Sequence, residues 1–450
     1  MQIEAQKIFM SNFELLLTLL LQLTIILATC RLVAFVAKRY FGQTDVVGEM
    51  IAGIMLGPSL FGVIAPQLQQ KLFPSAAIVM DATHKIPNPS MSVLFALSQI
   101  GLIIYMFLIG LEMNTDILRH RAKSASLVSF AGIITPFVLG GSVALSLYGS
   151  GNLFGAKVTP WAAALYLGAS MSITAFPMLA RILHEKGLTK TRFGTLVLAA
   201  GSLDDAVAWC LLALVLASIQ SSLNIAILAI GGTLLYVLFM WFVGRRMLWM
   251  FTRWYRRDGT VTIEILTFLL IVVMLCASFT DFIGVHAVFG AFILGVVMPR
   301  GHFAEAVRHH LEYLTTALLV PIFFVFSGLN TQIGLVNTPQ LWGLTLLITL
   351  IAILGKGIAC TLAAKWSGES WRESATIGAL MNARGLMELI ILNIGLEQGL
   401  ITPTLFTIMV LMAITTTLMC SPLVNLIGIS RHTEGITPGS LPIDYPESKL

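Results

Sequence analysis

Apolar runs of about 20 residues recur along this chain from end to end, the length a helix needs to cross about 30 Å of hydrocarbon. Thirteen can be drawn, near residues 13–36, 45–63, 91–111, 124–148, 160–182, 194–217, 224–244, 262–280, 284–299, 314–329, 342–364, 375–396 and 404–427. They do not alternate apolar and polar side chains, as the strands of a membrane barrel would. A span in lipid must satisfy its peptide groups internally, so the runs are helices. Charged residues fill 11% of the 450 positions and hydrophobic residues 57%, whereas a soluble domain carries about 25% charged. The fold class is therefore all-α, polytopic and membrane-embedded. Spans 2 and 9 are short and glycine-rich.

Basic residues test this count independently. With the N-terminus outside, the inner segments hold 21 Lys and Arg, while the outer ones hold Lys7, Lys71, Lys85 and Lys157. Lys356 and Arg384 fall inside spans. Such an alternating bias is the positive-inside pattern, and it accounts for the net charge of +5 without a nucleic-acid partner. The N-terminus does not read as a cleaved signal, because Arg31, Lys38 and Arg39 follow the first apolar run. Cys30, Cys210, Cys276, Cys360 and Cys420 lie in apolar stretches without metal-ligand spacing and read as small core residues. The expected organisation is a short outer segment 1–12, a membrane domain 13–428 and a disordered cytoplasmic tail 429–450, in a cell (inner) membrane.

An odd number of spans suggests two six-helix units of opposite orientation joined by span 7. Inverted repeats of this kind put binding sites at the midplane, where interrupted helices meet. Two interruptions fall at matching places, the fifth helix of each unit. In span 5 the break is Ser172-Ile173-Thr174-Ala175-Phe176-Pro177, where Pro177 cannot donate to the Ile173 carbonyl. In span 12 it is Asn382-Ala383-Arg384-Gly385, polar groups and a glycine inside an apolar run. Backbone groups freed at such breaks need partners, since lipid supplies none.

Ionisable groups near a bilayer centre are costly and point to function. Asp204 and Asp205 sit almost at the middle of span 6, about 100° apart on the helix, with Gly201 and Ser202 on the Asp205 face. A buried carboxylate can hold a proton or a hard cation but not comfortably both, and that competition alone couples two ions. Asp205, the Ser202 and Thr174 hydroxyls and freed carbonyls form an oxygen set suited to sodium, lithium or potassium. Lys356, between Gly355 and Gly357 in span 11, is expected to pair with one of the aspartates, since an unpaired acid and base in one bundle would both be costly. Arg384 and Glu388, four apart, read as an ion pair steadying the broken helix. Glu49 and Glu112, at the inner ends of spans 2 and 3, read as solvated caps or gate residues. His302, His309 and His310 read as solvated histidines of an inner loop.

These motifs carry a family resemblance. Val47-Gly48-Glu49-Met50-Ile51-Ala52-Gly53-Ile54-Met55-Leu56-Gly57-Pro58-Ser59 resembles the second-helix signature of the cation/proton antiporter-2 family. Ser172 to Leu183 resembles its broken helix, and Met381 to Leu389 the counterpart in plant cation/proton exchangers and Kef-type transporters. The resemblance implies a homodimer with crossed broken helices, the sodium/proton antiporter fold. Spans 1–3 and 8–10 would form the dimerisation half, and spans 4–6 and 11–13 a mobile core. It further implies that Asp205 is the ion-binding carboxylate and that Asp204 partners Lys356. Plant and Kef-type members tend to carry Asn or Gln where Asp204 stands, so an Asp-Asp pair with a lysine is more similar to the electrogenic bacterial sodium/proton antiporters.

The expected function is exchange of a monovalent cation, Na⁺ or Li⁺ ahead of K⁺, for protons by alternating access, electrogenic and without a cofactor or enzymatic activity. A channel-like K⁺ efflux transporter or a cation-coupled solute symporter on the same scaffold is the alternative. An intramembrane aspartyl protease is disfavoured, because adjacent residues of one helix cannot share a water between facing carboxylates.

Overall fold

In the computed structural model the chain is described over residues 11–428, apart from 75–76, 80–84, 113–114, 150–152, 157, 190, 221–222, 259, 285–286 and 330. The tail expected to be disordered, and most of the outer segment, lie outside these residues. Among the described residues thirteen helical elements follow in order. They are α1 (Asn12–Phe41), α2 (Asp45–Leu56), α3 (Pro89–Glu112), α4 (Thr115–Leu147), α5a (Pro160–Ser172) with α5b (Phe176–Glu185), and α6 (Arg192–Gln220). Then come α7 (Leu223–Phe239 continuing to Arg245–Asp258), α8 (Ile263–Phe282), α9 (Ala287–Val297) and α10 (His302–Leu314 continuing to Val320–Leu329). Last are α11 (Pro339–Trp366), α12a (Trp371–Met381) with α12b (Leu386–Glu397), and α13 (Pro403–Ile427). Between α2 and α3 lie two short helices, Phe61–Ile64 and Pro66–Leu72, and a small antiparallel hairpin, Ala77–Val79 with Lys85–Pro87.

Among the described residues nine helices are both long and apolar enough to cross a bilayer. The remaining elements are the two broken helices, the 11-residue α9, and α6 with its aspartates. The fold is that of a polytopic α-helical membrane protein. Leu16, Leu17, Leu20 and Leu21 of α1 and Leu234, Leu235 and Phe242 of α7 are exposed, as side chains turned to lipid should be.

Lipid gives helices no hydrophobic reason to associate, so small residues and close packing do that work. A Cβ on Gly53 would stand 2.8 Å from the Phe324 carbonyl oxygen, which fixes α2 on α10. Gly110 and Gly295 face the opposing backbones of α9 and α3 with no room for any side chain. The Arg300 guanidinium sits at one end of this crossing. It donates to the Gly110 carbonyl at 3.3 Å, to Val296 at 2.9 Å and to Leu111, capping both helix ends with one cation.

Two segments differ from the inner loops expected of them. His302–Leu314 is a helix that runs through a π-turn at Thr315–Leu319 into span 10, and Arg245–Asp258 prolongs α7 through a π-turn at Met240–Gly244. The histidines thus stand on a helix and not in a loop. The reason is packing. Phe303 stacks on Phe251 at 6.2 Å and lies 5.7 Å from Tyr255, so the two extensions bury one aromatic face between them. Glu112 pairs with Arg308 at 3.0 Å, and Arg308 also meets Glu312 at 3.3 Å. Glu49 is buried, 3% exposed, and is not a solvated cap.

Candidate ion-binding site

The helical ladder stops at Ile173, Thr174 and Ala175, and again at Asn382 through Gly385. Pro177 lies in the first turn of α5b, where a missing N–H costs nothing, so the sequence starts a new helix there instead of kinking an old one. The two breaks touch. The Ala175 N–H donates to the Ala383 carbonyl at 3.0 Å, and the Thr174 hydroxyl lies 3.2 Å from the Met381 carbonyl. Thr417 of α13 accepts from the Arg384 N–H at 2.9 Å and donates to the Arg384 carbonyl at 2.7 Å, replacing the ladder on both sides of that peptide.

The carbonyl end of α5a carries the negative pole of its dipole. Two buried cations from the second half of the chain sit on it. Arg384 donates to the Met171 carbonyl at 2.7 Å and to Ser170 at 3.4 Å, and the Lys356 ammonium donates to the Ser172 carbonyl. Both side chains are completely buried. Arg384 also stands 3.4 Å from Glu388, which is buried beside it.

The neighbouring aspartates are treated differently. Asp204 accepts from Ser129 at 2.5 Å, from Thr174 at 2.7 Å and from Lys356 at 3.1 Å. Asp205 faces the backbone N–H of Phe176, at the positive end of α5b. Its Oδ1 is buried and has no hydrogen-bond partner among the described residues, and the same holds for the Asn382 Oδ1. Asn382 directs its amide donor to the Gly378 carbonyl at 3.0 Å and toward Ile353 at 3.4 Å. Phe176 packs edge-on against Phe292 of α9 at 5.2 Å, beside the gap that Gly201 leaves.

Several expected ligands take other partners. The Thr174 hydroxyl is on Asp204 and not on Asp205, because the break turns it across to α6 one residue before the acid that faces α5b. The Ser202 hydroxyl bonds back to the Ala199 carbonyl at 2.9 Å, within its own helix. Asp204 and Lys356 meet directly, as do Arg384 and Glu388. Ser129 and Thr417 were not singled out in the sequence, since one hydroxyl in an apolar helix is an ordinary packing residue.

Across the chain, residues 24–426 match the family model described as sodium/hydrogen exchanger, transmembrane. The chain belongs to the sodium/hydrogen exchanger family. Membership makes it a membrane antiporter and not an enzyme. It is 42% identical over 413 residues to the Na⁺/H⁺ antiporter NhaS4 of Synechocystis, covering 91% of this chain and 97% of that one. It is 38% identical to cation/H⁺ antiporter 17 of Arabidopsis thaliana and 32% identical to K⁺/H⁺ antiporter 1 of Saccharomyces cerevisiae. Those matches cover 90% and 93% of this antiporter, which spans about half the length of either relative, 48% and 47%. The solved structure of the sodium proton antiporter MjNhaP1 from Methanocaldococcus jannaschii superposes with a TM-score of 0.61 at 16% identity, covering 91% of this chain and 96% of that one. The likeness establishes the fold.

Proposed function

We propose that this antiporter exchanges Na⁺ or Li⁺, with K⁺ slower, for protons on Asp205. The buried Asp205 Oδ1 without a hydrogen-bond partner carries the reading. A buried carboxylate oxygen needs a proton or a cation, and among the described residues no side-chain donor reaches this one. Asp204 already has three donors, so the exchanged ion goes to its neighbour. Among the described residues five buried acidic and basic side chains surround the breaks: Asp204, Asp205 and Glu388 against Lys356 and Arg384. Fully ionised, they fall one positive charge short, which one proton or one monovalent cation makes good.

The Na⁺/H⁺ antiporter named among the relatives supports sodium, and the yeast relative named for K⁺ keeps potassium as the slower substrate. The core of α4–α6 and α11–α13 moves against the dimerisation half of α1–α3 and α8–α10 within a homodimer. The protein resides in a cell membrane with its N-terminus outside, an orientation supported by the bias of Lys and Arg. Transport is electrogenic, with Lys356 carrying a second proton while its grip on Asp204 changes through the cycle. Two protons per cation move one charge, worth about 2.3 kcal/mol per 100 mV. One-for-one exchange is the second reading, favoured by the charge count if Lys356 stays protonated.

Proteoliposomes loaded with a pH dye test the reading. Na⁺ or Li⁺ should collapse an imposed pH gradient, K⁺ more slowly. No response to any of Li⁺, Na⁺, K⁺ and Rb⁺ refutes it.

A further inference from the structure

A serine in a membrane helix has a ready acceptor in a carbonyl one turn back, and most here use it. Ser98, Ser142, Ser146, Ser170, Ser172 and Ser202 all donate to their own helix. Ser129 does not. Fully buried in α4, it sends its hydrogen across to Asp204 Oδ1 at 2.5 Å, the shortest of that carboxylate's three bonds. Gly132, three residues on and on the same face, leaves room for the Cys360 sulfur, 2.6 Å from where a Cβ would stand, and the Lys356 Cε passes beside it at 3.7 Å. Thus α4 donates to one member of the buried ion pair and passes beside the other.

We propose that Ser129 is a positioning residue that sets how firmly Asp204 grips Lys356, and through that lysine the pH range over which cation displaces protons. This rests on the reading that Asp205 binds the cation while Asp204 and Lys356 act as a pair. An ionised carboxylate offers about four lone-pair sites on two oxygens. Ser129 occupies Oδ1, which leaves Oδ2 to be shared between Thr174 and Lys356. The lysine therefore holds half of a carboxylate whose charge is already drawn toward two hydroxyls. Without Ser129, Oδ1 is bare and both oxygens can turn to the ammonium, whose proton then leaves only at higher pH. The ionisable groups facing Lys356 are Asp204 and Asp205 from α6, Arg384 and, beyond it, Glu388 from α12, and Cys360 from its own helix. None of these is altered by the substitution.

The test uses the full chain, purified, and needs no turnover. Na⁺ is added at a series of pH values, and the protons released are read with a dye. In Ser129→Ala the pH of half-maximal release should rise by about one unit, about tenfold in proton affinity. The apparent Na⁺ affinity, measured well above that pH, should stay within twofold. Ser129→Thr, which keeps the hydroxyl, should return the midpoint. Ser129→Cys, a weak donor of similar size, should move it partway and serves if the alanine variant does not fold. In a Lys356→Gln background, Ser129→Ala should cause no shift. An unmoved midpoint in both Ser129→Ala and Ser129→Cys overturns the proposal, and so does an equal shift with and without Lys356. Na⁺-driven proton release surviving in Asp205→Asn would instead refute the underlying site, so the two failures are distinguishable.

Discussion

Removing the Arg384 guanidinium should cost far more than removing its acid, although the two form one ion pair. Arg384 has three acceptors: the Met171 carbonyl at 2.7 Å, the Ser170 carbonyl at 3.4 Å and the Glu388 carboxylate at 3.4 Å. Arg384→Ala leaves Glu388 buried and unpaired, a loss of about 3–5 kcal/mol. It also strips the carbonyl end of α5a of a charged donor, about 1.5–3 kcal/mol more. Glu388→Gln leaves Arg384 its two carbonyls, and the amide can still accept from it, so the loss should be about 1–2 kcal/mol. In Arg384→Ala with Glu388→Gln the stranded charge is gone, and stability should recover by about 2 kcal/mol over Arg384→Ala alone. Unfolding in mixed micelles, followed by tryptophan fluorescence, measures all four corners of the cycle. Exchange should survive in Glu388→Gln and fail in Arg384→Ala, where the ends of the break lose their tether. Equal losses for the two single variants, or a double variant equal to their sum, would refute the account of Arg384 as a cap first and an ion-pair partner second.

Asp205→Asn should abolish exchange while the protein stays folded, because the amide can neither release a proton nor balance a cation; gel filtration and liposome flux check this. Lys356→Gln should lose any response of the rate to a valinomycin–K⁺ potential without necessarily stopping Na⁺ exchange, and a parent protein indifferent to potential would end the two-proton scheme. Thr174→Ala should change the pH dependence more than the Na⁺ affinity, since its hydroxyl is on Asp204; a KM rise with an unmoved pH profile would return it to the cation's shell. Gly295→Val drives a branched side chain into the α3 backbone and should prevent assembly, read as loss of the monodisperse peak.

Much of this arrangement can be read directly from the chain, and the exceptions have physical causes. The spans and the breaks are legible because lipid demands long apolar runs and punishes any interruption, so Pro177 and Asn382 through Gly385 stand out. The aspartates and Lys356 are legible for the same reason of cost. Their geometry is not. Which aspartate meets Lys356 depends on a 100° turn of α6 against α11 and is indicated only by the family resemblance, and Ser129 lies 75 residues before the carboxylate it holds. The helical extensions of α7 and α10 also escape, because an amphipathic helix leaving a membrane has the composition of a loop. The aromatic contacts of Phe303 with Phe251 and Tyr255 reveal that it is packed.

The ion pair has a consequence for the order of synthesis. Asp204 precedes Lys356 by 152 residues. At about 5–20 residues per second, a ribosome takes roughly 8–30 s to make the second after the first. Throughout that interval α6 is in the translocation machinery or the bilayer with two acids and no base, while Ser129 and Thr174, both earlier in the chain, are already available. The first half must therefore wait with its carboxylates protonated or shielded by hydroxyls. Late arrival of α11 and α12 then charges the core and closes it in one event, so truncations ending before residue 356 should be recognised as unfinished and degraded.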